Sequence, residues 1–161
     1  MEDNVEKCKV YLLDYLSKYR KSERQANAKL IEKGYDYESR RLAIAKAKEY
    51  GFLDDEDLAK DFVETKGKTK SKNAVRQKLL AKSVAIATIN EVICDMDDMP
   101  AGRLAMEKYM KGKDRGDPKF KEKLYRHLAG KGFSYGTISK LFGELSLEIE
   151  GEEGSRLNNE P

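Results

Sequence analysis

The sequence has few of the residues from which metal sites and disulfide frameworks are built. Of its 161 residues, two are cysteine and one is histidine. Cys8 and Cys94 stand far apart in the chain, with no CxxC pair and no histidine beside either of them. This pattern argues against a zinc site or a disulfide scaffold and predicts two reduced thiols of the core type.

Long apolar stretches are also missing. A membrane-spanning helix needs a run of about 18 apolar residues, and the chain has no such run. The opening residues MEDNVEK have neither the basic start nor the apolar segment of a signal peptide. We therefore expect a cytoplasmic protein without a membrane contact.

Charged residues are abundant instead, and they are unevenly distributed. The chain is 39% apolar and 38% charged, a composition that favours an elongated protein with a lean core over a sphere. Its net charge is +3, but residues 146–161 carry five glutamates and one arginine, so the rest of the chain carries +7. Such polarity predicts an anionic partner.

One phrase occurs three times at a period of 49 residues: KLIEKGYDYES from Lys29, KLLAKSVAIAT from Lys78 and HLAGKGFSYGT from His127. A fixed period of this length is typical of stacked supersecondary units. No segment shows sustained strand-like alternation, so each unit is predicted to be helical. We predict an all-α fold of three tandem three-helix repeats, with boundaries at 1–52, 53–99 and 100–146, followed by a disordered acidic tail, 147–161.

Local signals mark the helix ends inside each repeat. Ser22 and Gln25 form a capping box that predicts the start of a second helix. Gly34 and Gly132 are suited to the left-handed conformation that commonly follows a helix. Ser83 stands at the same place in the middle repeat, where we expect a less ideal turn.

The third helix of each repeat has a different residue at its predicted N-cap. Asp36 and Ser134 have side chains that can cap a helix, whereas Ala85 cannot. Asp54 is a further predicted cap, at the start of the middle repeat.

No motif for catalysis or metal binding is complete. His127 takes the place of lysine in the other repeats, which predicts an exposed residue without a catalytic role. The segment Gly67–Thr69 lacks the first glycine of a phosphate-binding loop, and DMDDMPAG has Pro100 and Met106 where a calcium loop needs glycine and glutamate. The cluster Asp54–Asp57 has the ligand type for a metal, but helix capping already explains two of its four carboxylates. We therefore predict no catalytic residue, no metal and no cofactor.

Two basic segments are the best candidates for a binding site. Residues 60–82 contain eight lysines and arginines against two acids, and residues 103–131 contain ten against four. Solvated helix faces are the alternative explanation, and few aromatic residues are interleaved for base stacking. The candidate contacts to a partner or to phosphates are Lys66, Lys68, Lys70, Lys72, Arg76, Lys111, Lys113, Arg115, Lys119 and Arg126.

Several spaced motifs together resemble one protein family. The segments KGYDYES, GFLDDEDLAKDFV, VRQKLLAK and LYRHLAGKGFSYGTI occur in this order, and the resemblance to the RecX family spans residues 10–145. It implies three tandem three-helix modules in a curved, elongated chain. The chain departs from the family pattern at Ser83 and Ala85. It also has Arg40 where the other repeats have isoleucine, and these departures leave the packing of the third helices of the first and middle repeats open.

The resemblance also implies a function. RecX proteins bind along the groove of the RecA recombinase filament on single-stranded DNA and suppress its ATP hydrolysis, strand exchange and co-protease activity. It implies weak binding of free single- or double-stranded DNA, and we expect a monomer. The alternative is a helical DNA-binding protein or transcriptional regulator that acts without RecA.

Overall fold

The computed structural model describes residues 2–148, and within that range the chain folds into nine helices and no strand. The helices are α1 (Glu2–Lys18), α2 (Glu23–Glu32), α3 (Tyr37–Glu49), α4 (Asp55–Lys66), α5 (Lys72–Ala81), α6 (Ile86–Ile93), α7 (Met99–Met110), α8 (Phe120–Gly130) and α9 (Tyr135–Glu148). The all-α prediction is confirmed. None of these helices combines the length and apolar character needed to cross a bilayer. Beyond the last residues of α9, the predicted tail lies outside the described residues.

The described residues form two compact units. The first unit holds the chain up to Thr65 together with Arg76–Asp95, and the second holds Lys66–Val75 together with the residues from Met96 onward. Each predicted repeat contains three of the helices, with α7 beginning one residue before the predicted boundary at 100. The middle repeat contributes residues to both units. The boundaries between the three repeats therefore stay a prediction.

The core of the first unit forms where α1 packs along α3. Cys8, Leu12 and Leu16 recur every four residues, so they share one face of α1, and all three are buried. Burial of a leucine side chain contributes about 1.5–3 kcal/mol. The expectation of a core thiol holds for Cys8 and is wrong for Cys94, which is exposed because it follows the last residue of α6.

The core of the second unit is built from α7, α8 and α9. These three helices contact one another and bury a single apolar cluster. The cluster comprises Ala101, Ala105, Met106, Met110, Leu124, Leu128, Phe133, Ile138, Leu141 and Leu145.

The second helix of each repeat ends in the same turn. Gly34, Ser83 and Gly132 all have a positive φ, at 87°, 64° and 93°. In each turn the next residue donates its N–H to the carbonyl of a buried leucine in the second helix. These bonds are Tyr35 to Leu30 at 3.1 Å, Val84 to Leu79 at 3.1 Å and Phe133 to Leu128 at 3.2 Å. The middle turn has the same hydrogen bond as the other two, but its backbone is less ideal, as predicted, because Ser83 has a positive φ without being a glycine. Ser83 holds the left-handed conformation at a cost of about 1 kcal/mol.

Two buried serines connect successive repeats. Ser22 completes the predicted capping box with Gln25 and also donates its hydroxyl to the Lys82 carbonyl, at 2.6 Å. The serine 49 positions later, Ser71, donates in the same way to the Lys131 carbonyl, at 2.9 Å. The first bond lies within the first unit and the second within the second unit. The 49-residue period therefore extends to the contacts between repeats.

The predicted N-caps form at some helices only. Asp54 accepts the N–H of Asp57 at 3.0 Å, and Ser134 accepts a first-turn N–H of α9 at 3.2 Å. Ala85 makes no side-chain cap, as predicted. Asp36 occupies the N-cap position of α3, and its interaction with Ser39 in the first turn lowers the pKa of the Asp36 carboxyl, although no cap hydrogen bond of regular geometry forms.

Arg40 is accommodated at a position that is apolar in the other repeats. Its side chain is half-buried, its Nε donates to Asn27 Oδ1 at 3.0 Å, and its Nη1 donates to the Tyr35 carbonyl at 2.8 Å. These bonds replace the water that the guanidinium loses, so the third helix of the first repeat packs around a charged residue.

Candidate functional site

The ten basic residues predicted as the site lie in two groups, each beginning where a helix ends. The first group ends α4, crosses to α5 and continues in that helix: Lys66, Lys68, Lys70, Lys72 and Arg76. The second group occupies the connection from α7 to α8 and one turn of α8: Lys111, Lys113, Arg115, Lys119 and Arg126. All but Lys70, Lys72 and Arg76 are exposed, and those three are half-buried.

A groove in the second unit is lined by residues from both basic segments, 60–82 and 103–131. Its volume is about 380 Å³, and Thr69 of the first segment lines it. The basic side chains that line it are those of Lys108, Lys111, Lys113 and Lys131. No carboxylate is among its lining residues. Among the residues that the structure describes, the groove is therefore lined by four lysines and no carboxylate.

Only part of this groove is predicted from the sequence. Lys111 and Lys113 were predicted, whereas Lys108 and Lys131 were not. The other eight predicted residues do not line the groove. One of them, Arg126, is paired with Glu122 one helical turn away, which offsets its charge. Lys131 lies within the basic segment 103–131, and that was the one signal in the sequence for it.

An aromatic pair forms one wall of the groove. The rings of Tyr109 and His127 stack with centroids 4.5 Å apart, and the Lys113 Nζ lies 5.1 Å from the Tyr109 ring centroid. His127 is half-buried, so the prediction that it is exposed is wrong. Burial, followed by the charges of Lys131 and Lys113, lowers the pKa of His127 below its ordinary value.

The two units differ in charge. Within the described residues the first unit carries 16 basic and 17 acidic side chains, a net −1, while the second carries 15 and 8, a net +7. Ion pairs compensate much of the first unit: Arg20 binds Asp57 at 2.6 Å, and Lys48 binds Glu23 at 2.8 Å. Attraction for an anion therefore comes from the second unit.

The acidic cluster at the start of α4 is engaged in structural contacts. Asp55 accepts the backbone N–H of Glu23 at 2.9 Å, Asp54 caps α4, and Asp57 pairs with Arg20. In the part of the chain that the structure describes, no three histidine, cysteine or acidic residues are grouped so as to hold a metal ion.

Comparison with known proteins identifies the family. A family model described as RecX, third three-helix domain, matches residues 101–142. The regulatory protein RecX of Clostridium botulinum (strain Eklund 17B / Type B) is 35% identical over 155 residues, which cover 92% of this chain and 73% of that protein. The chain belongs to the RecX family.

Other relatives agree with this assignment. The regulatory protein RecX of Clostridium perfringens (strain SM101 / Type A) is 30% identical over 151 residues, covering 90% of this chain and 71% of that protein. The crystal structure of RecX from Lactobacillus salivarius has a TM-score of 0.82 at 23% identity and covers 91% of this chain and 99% of that chain. A second RecX crystal structure has a TM-score of 0.69. These likenesses confirm the helical RecX fold and, with the names of the relatives, a regulatory role.

Proposed function

We propose that this RecX protein binds the RecA nucleoprotein filament and inhibits its ATPase, strand-exchange and co-protease activities in recombination and the SOS response. It acts by binding and catalyses no reaction. The groove of the second unit, with Lys108, Lys111 and Lys113 at its edge, contacts anionic groups of the filament. The observation that carries this proposal is the +7 charge of the described residues of the second unit, none of whose carboxylates lines the groove.

Electrostatic attraction is the physical basis of the proposal. A nucleoprotein filament carries DNA phosphates and acidic protein side chains, and a basic groove binds either one more tightly at low salt. The remaining basic residues of the two predicted groups, such as Lys66, Lys68 and Lys119, add attraction around the groove. We propose that the protein is a monomer in the cytoplasm, where it has access to the recombinase.

Single-strand-dependent ATP hydrolysis by the cognate recombinase, with and without this protein, tests the proposal. Reversal of Lys108, Lys111 and Lys113 to glutamate should weaken inhibition about tenfold. At about 0.5 kcal/mol each, the three reversals together cost about 1.5 kcal/mol, and a tenfold change requires ~1.4 kcal/mol.

A matched control makes the same charge change in the first unit. Lys21, Lys33 and Lys78 make no ion pair in the described residues, so their reversal alters net charge equally without breaking a salt bridge. Arg20 is unsuitable as a control because it is paired with Asp57 and Asp61. Equal inhibition by the groove variant and the control variant would contradict the proposed position of the site.

A second candidate function is DNA binding without the recombinase. The same groove favours it, since Tyr109 and His127 add a stacked aromatic surface to the lysines. A DNA-binding protein should bind an oligonucleotide alone with steep salt dependence. If the affinity for DNA is unchanged when the recombinase is added, the DNA-binding function is favoured over filament binding.

A further inference from the structure

The third helix of every repeat begins with a large apolar residue that the fold leaves exposed. Tyr37 begins α3, Ile86 begins α6 and Tyr135 begins α9, at the 49-residue period. Their exposed fractions are 69%, 63% and 73%, and the two tyrosines are the most exposed large apolar side chains in residues 2–146. We call them the three helix-start residues.

Helix formation does not account for these side chains. The first residue of a helix tolerates small, polar or proline residues, and a β-branched isoleucine has no advantage there. An exposed tyrosine or isoleucine also contributes no burial energy to the fold. Exposure of one apolar residue at random is ordinary, but its recurrence at one repeat position points to a binding face.

In the first unit, two helix-start residues line one groove. Tyr37 and Ile86 lie along a groove of about 870 Å³ whose apolar lining also includes Ile44 and Val84. The groove is large enough for several side chains of a bound peptide.

The charges around the first-unit groove leave a cationic edge. Of its two lining carboxylates, Glu23 binds Lys48 at 2.8 Å and Asp55 accepts a backbone N–H at 2.9 Å. Arg24 lines the same groove and makes no ion pair within the described residues. A carboxylate of a ligand would find Arg24 available there.

The helix-start residue of the second unit has a similar setting. Tyr135 lines a groove of about 360 Å³ together with Tyr125, Ile138 and Phe142. The rings of Tyr125 and Tyr135 meet edge to face with centroids 6.5 Å apart. Lys121 is the charged residue among those that line this groove. Both grooves thus combine an apolar surface with a cation at the edge.

We propose that the three helix-start residues are anchor points for the partner protein, each binding an apolar side chain that is flanked by a carboxylate. This inference rests on the proposed function and specifies which surface contacts protein in the filament. A protein segment fits better than nucleic acid, because each of these two grooves combines apolar side chains with one exposed cation that has no hydrogen-bonded partner in the described residues, whereas a phosphate backbone is bound by several such cations. A filament presents the same segment on every subunit, which matches a residue repeated at a fixed period.

The test uses serine substitutions in the full-length protein. Tyr37→Ser, Ile86→Ser and Tyr135→Ser are made singly and together, with Val10→Ser on α1 as the control because Val10 is 66% exposed. The Kd for the cognate recombinase filament on single-stranded DNA is measured by fluorescence anisotropy. We expect about a fivefold loss for each single substitution and roughly a hundredfold loss for the triple variant, since anchor residues of this kind dominate interfaces. Val10→Ser should bind like the wild type.

Salt dependence separates these apolar contacts from the lysine groove. The triple serine variant should keep the wild-type slope of affinity against salt, whereas reversal of Lys108, Lys111 and Lys113 should reduce that slope. Unchanged urea midpoints would show that all variants are folded. Arg24→Glu should weaken binding in the same assay.

Three results would overturn the inference. If the triple variant binds like the wild type while the lysine variant fails, the anchor proposal is wrong and the proposed function stands. If the wild type does not bind the filament, both are wrong. If sedimentation shows a wild-type dimer that the triple variant converts to a monomer, the partner of this face is a second copy of the chain.

Discussion

A methyl group at Gly132 should destabilise the protein more than the same methyl group at Gly34. Both glycines end the second helix of a repeat with positive φ, at 93° and 87°. A Cβ at Gly34 would meet no atom within 4 Å, whereas a Cβ at Gly132 would lie 2.7 Å from the Ser71 Oγ. The two positions therefore share the backbone strain and differ in the steric contact.

The magnitude follows from these two effects. Alanine in the left-handed region costs about 1–2 kcal/mol relative to glycine, and this applies to both sites. At Gly132 the Ser71 hydroxyl must also move, which breaks its bond to the Lys131 carbonyl at 2.9 Å and its cap of the Ala74 N–H at 3.0 Å. Loss of buried hydrogen bonds adds about 1–3 kcal/mol.

Urea unfolding followed by circular dichroism measures the difference. With a slope of roughly 2 kcal/mol per molar, Gly132→Ala should unfold about 0.5–1.5 M earlier than Gly34→Ala. In a Ser71→Ala background the obstructing oxygen is gone, so Gly132→Ala should cost no more than Gly34→Ala does. Equal midpoints for the two glycine variants in the wild-type background would refute the steric contact.

Three further predictions concern single residues. Ser83→Gly should raise the free energy of unfolding by about 0.5–1 kcal/mol, because it relieves the positive φ of the middle turn; a lower urea midpoint would contradict this. His127 is the sole histidine, so NMR can follow its titration directly. The free energy of unfolding should fall as the pH drops below 6.5, the ordinary pKa of histidine, and through the lower pKa of His127 in the folded protein. An anion bound in the groove should raise the pKa of His127 in the folded protein. The Arg103 guanidinium donates to both carboxylate oxygens of Glu144 at 2.8 Å and lowers the pKa of Glu144. The stability that this pair contributes is therefore present above pH 4.5 and is lost as the pH falls through the lower pKa of Glu144 in the folded protein. Arg103→Gln should remove this part of the acid dependence of unfolding.

The period of the sequence was a better guide to the fold than local propensity. Buried leucines in register predicted the three second helices, and each ends with the same hydrogen-bonded turn. Residue preference alone argued against that turn at Ser83. Leu79 and Val84 are buried on either side of Ser83, so packing imposes the left-handed conformation there despite the side chain.

The candidate site was less accessible to sequence reasoning. Counting charges selected two segments, of which residues 66–75 and 103–131 lie in the second unit, but it could not show which lysines meet. Lys108 and Lys131 reach one groove because α7 packs against α8, and that contact is specified by buried residues such as Ala105 and Leu124. Lys119, although equally basic, lies outside the groove. A surface cluster depends on packing that charge patterns do not encode.

The lysine directly before each of the three turns has a different environment in the first and second units. Lys33 and Lys82 place their Nζ atoms 5.8 Å from the rings of Tyr11 and Phe62, whereas Lys131 lines the groove of the second unit. The turn and the buried leucine before each lysine are repeated, so the scaffold is periodic while its charge is not. The exposed apolar helix starts, in contrast, recur in every repeat. A partner that recognises both features must combine a repeated apolar segment with local negative charge, and a filament of identical subunits on DNA provides both.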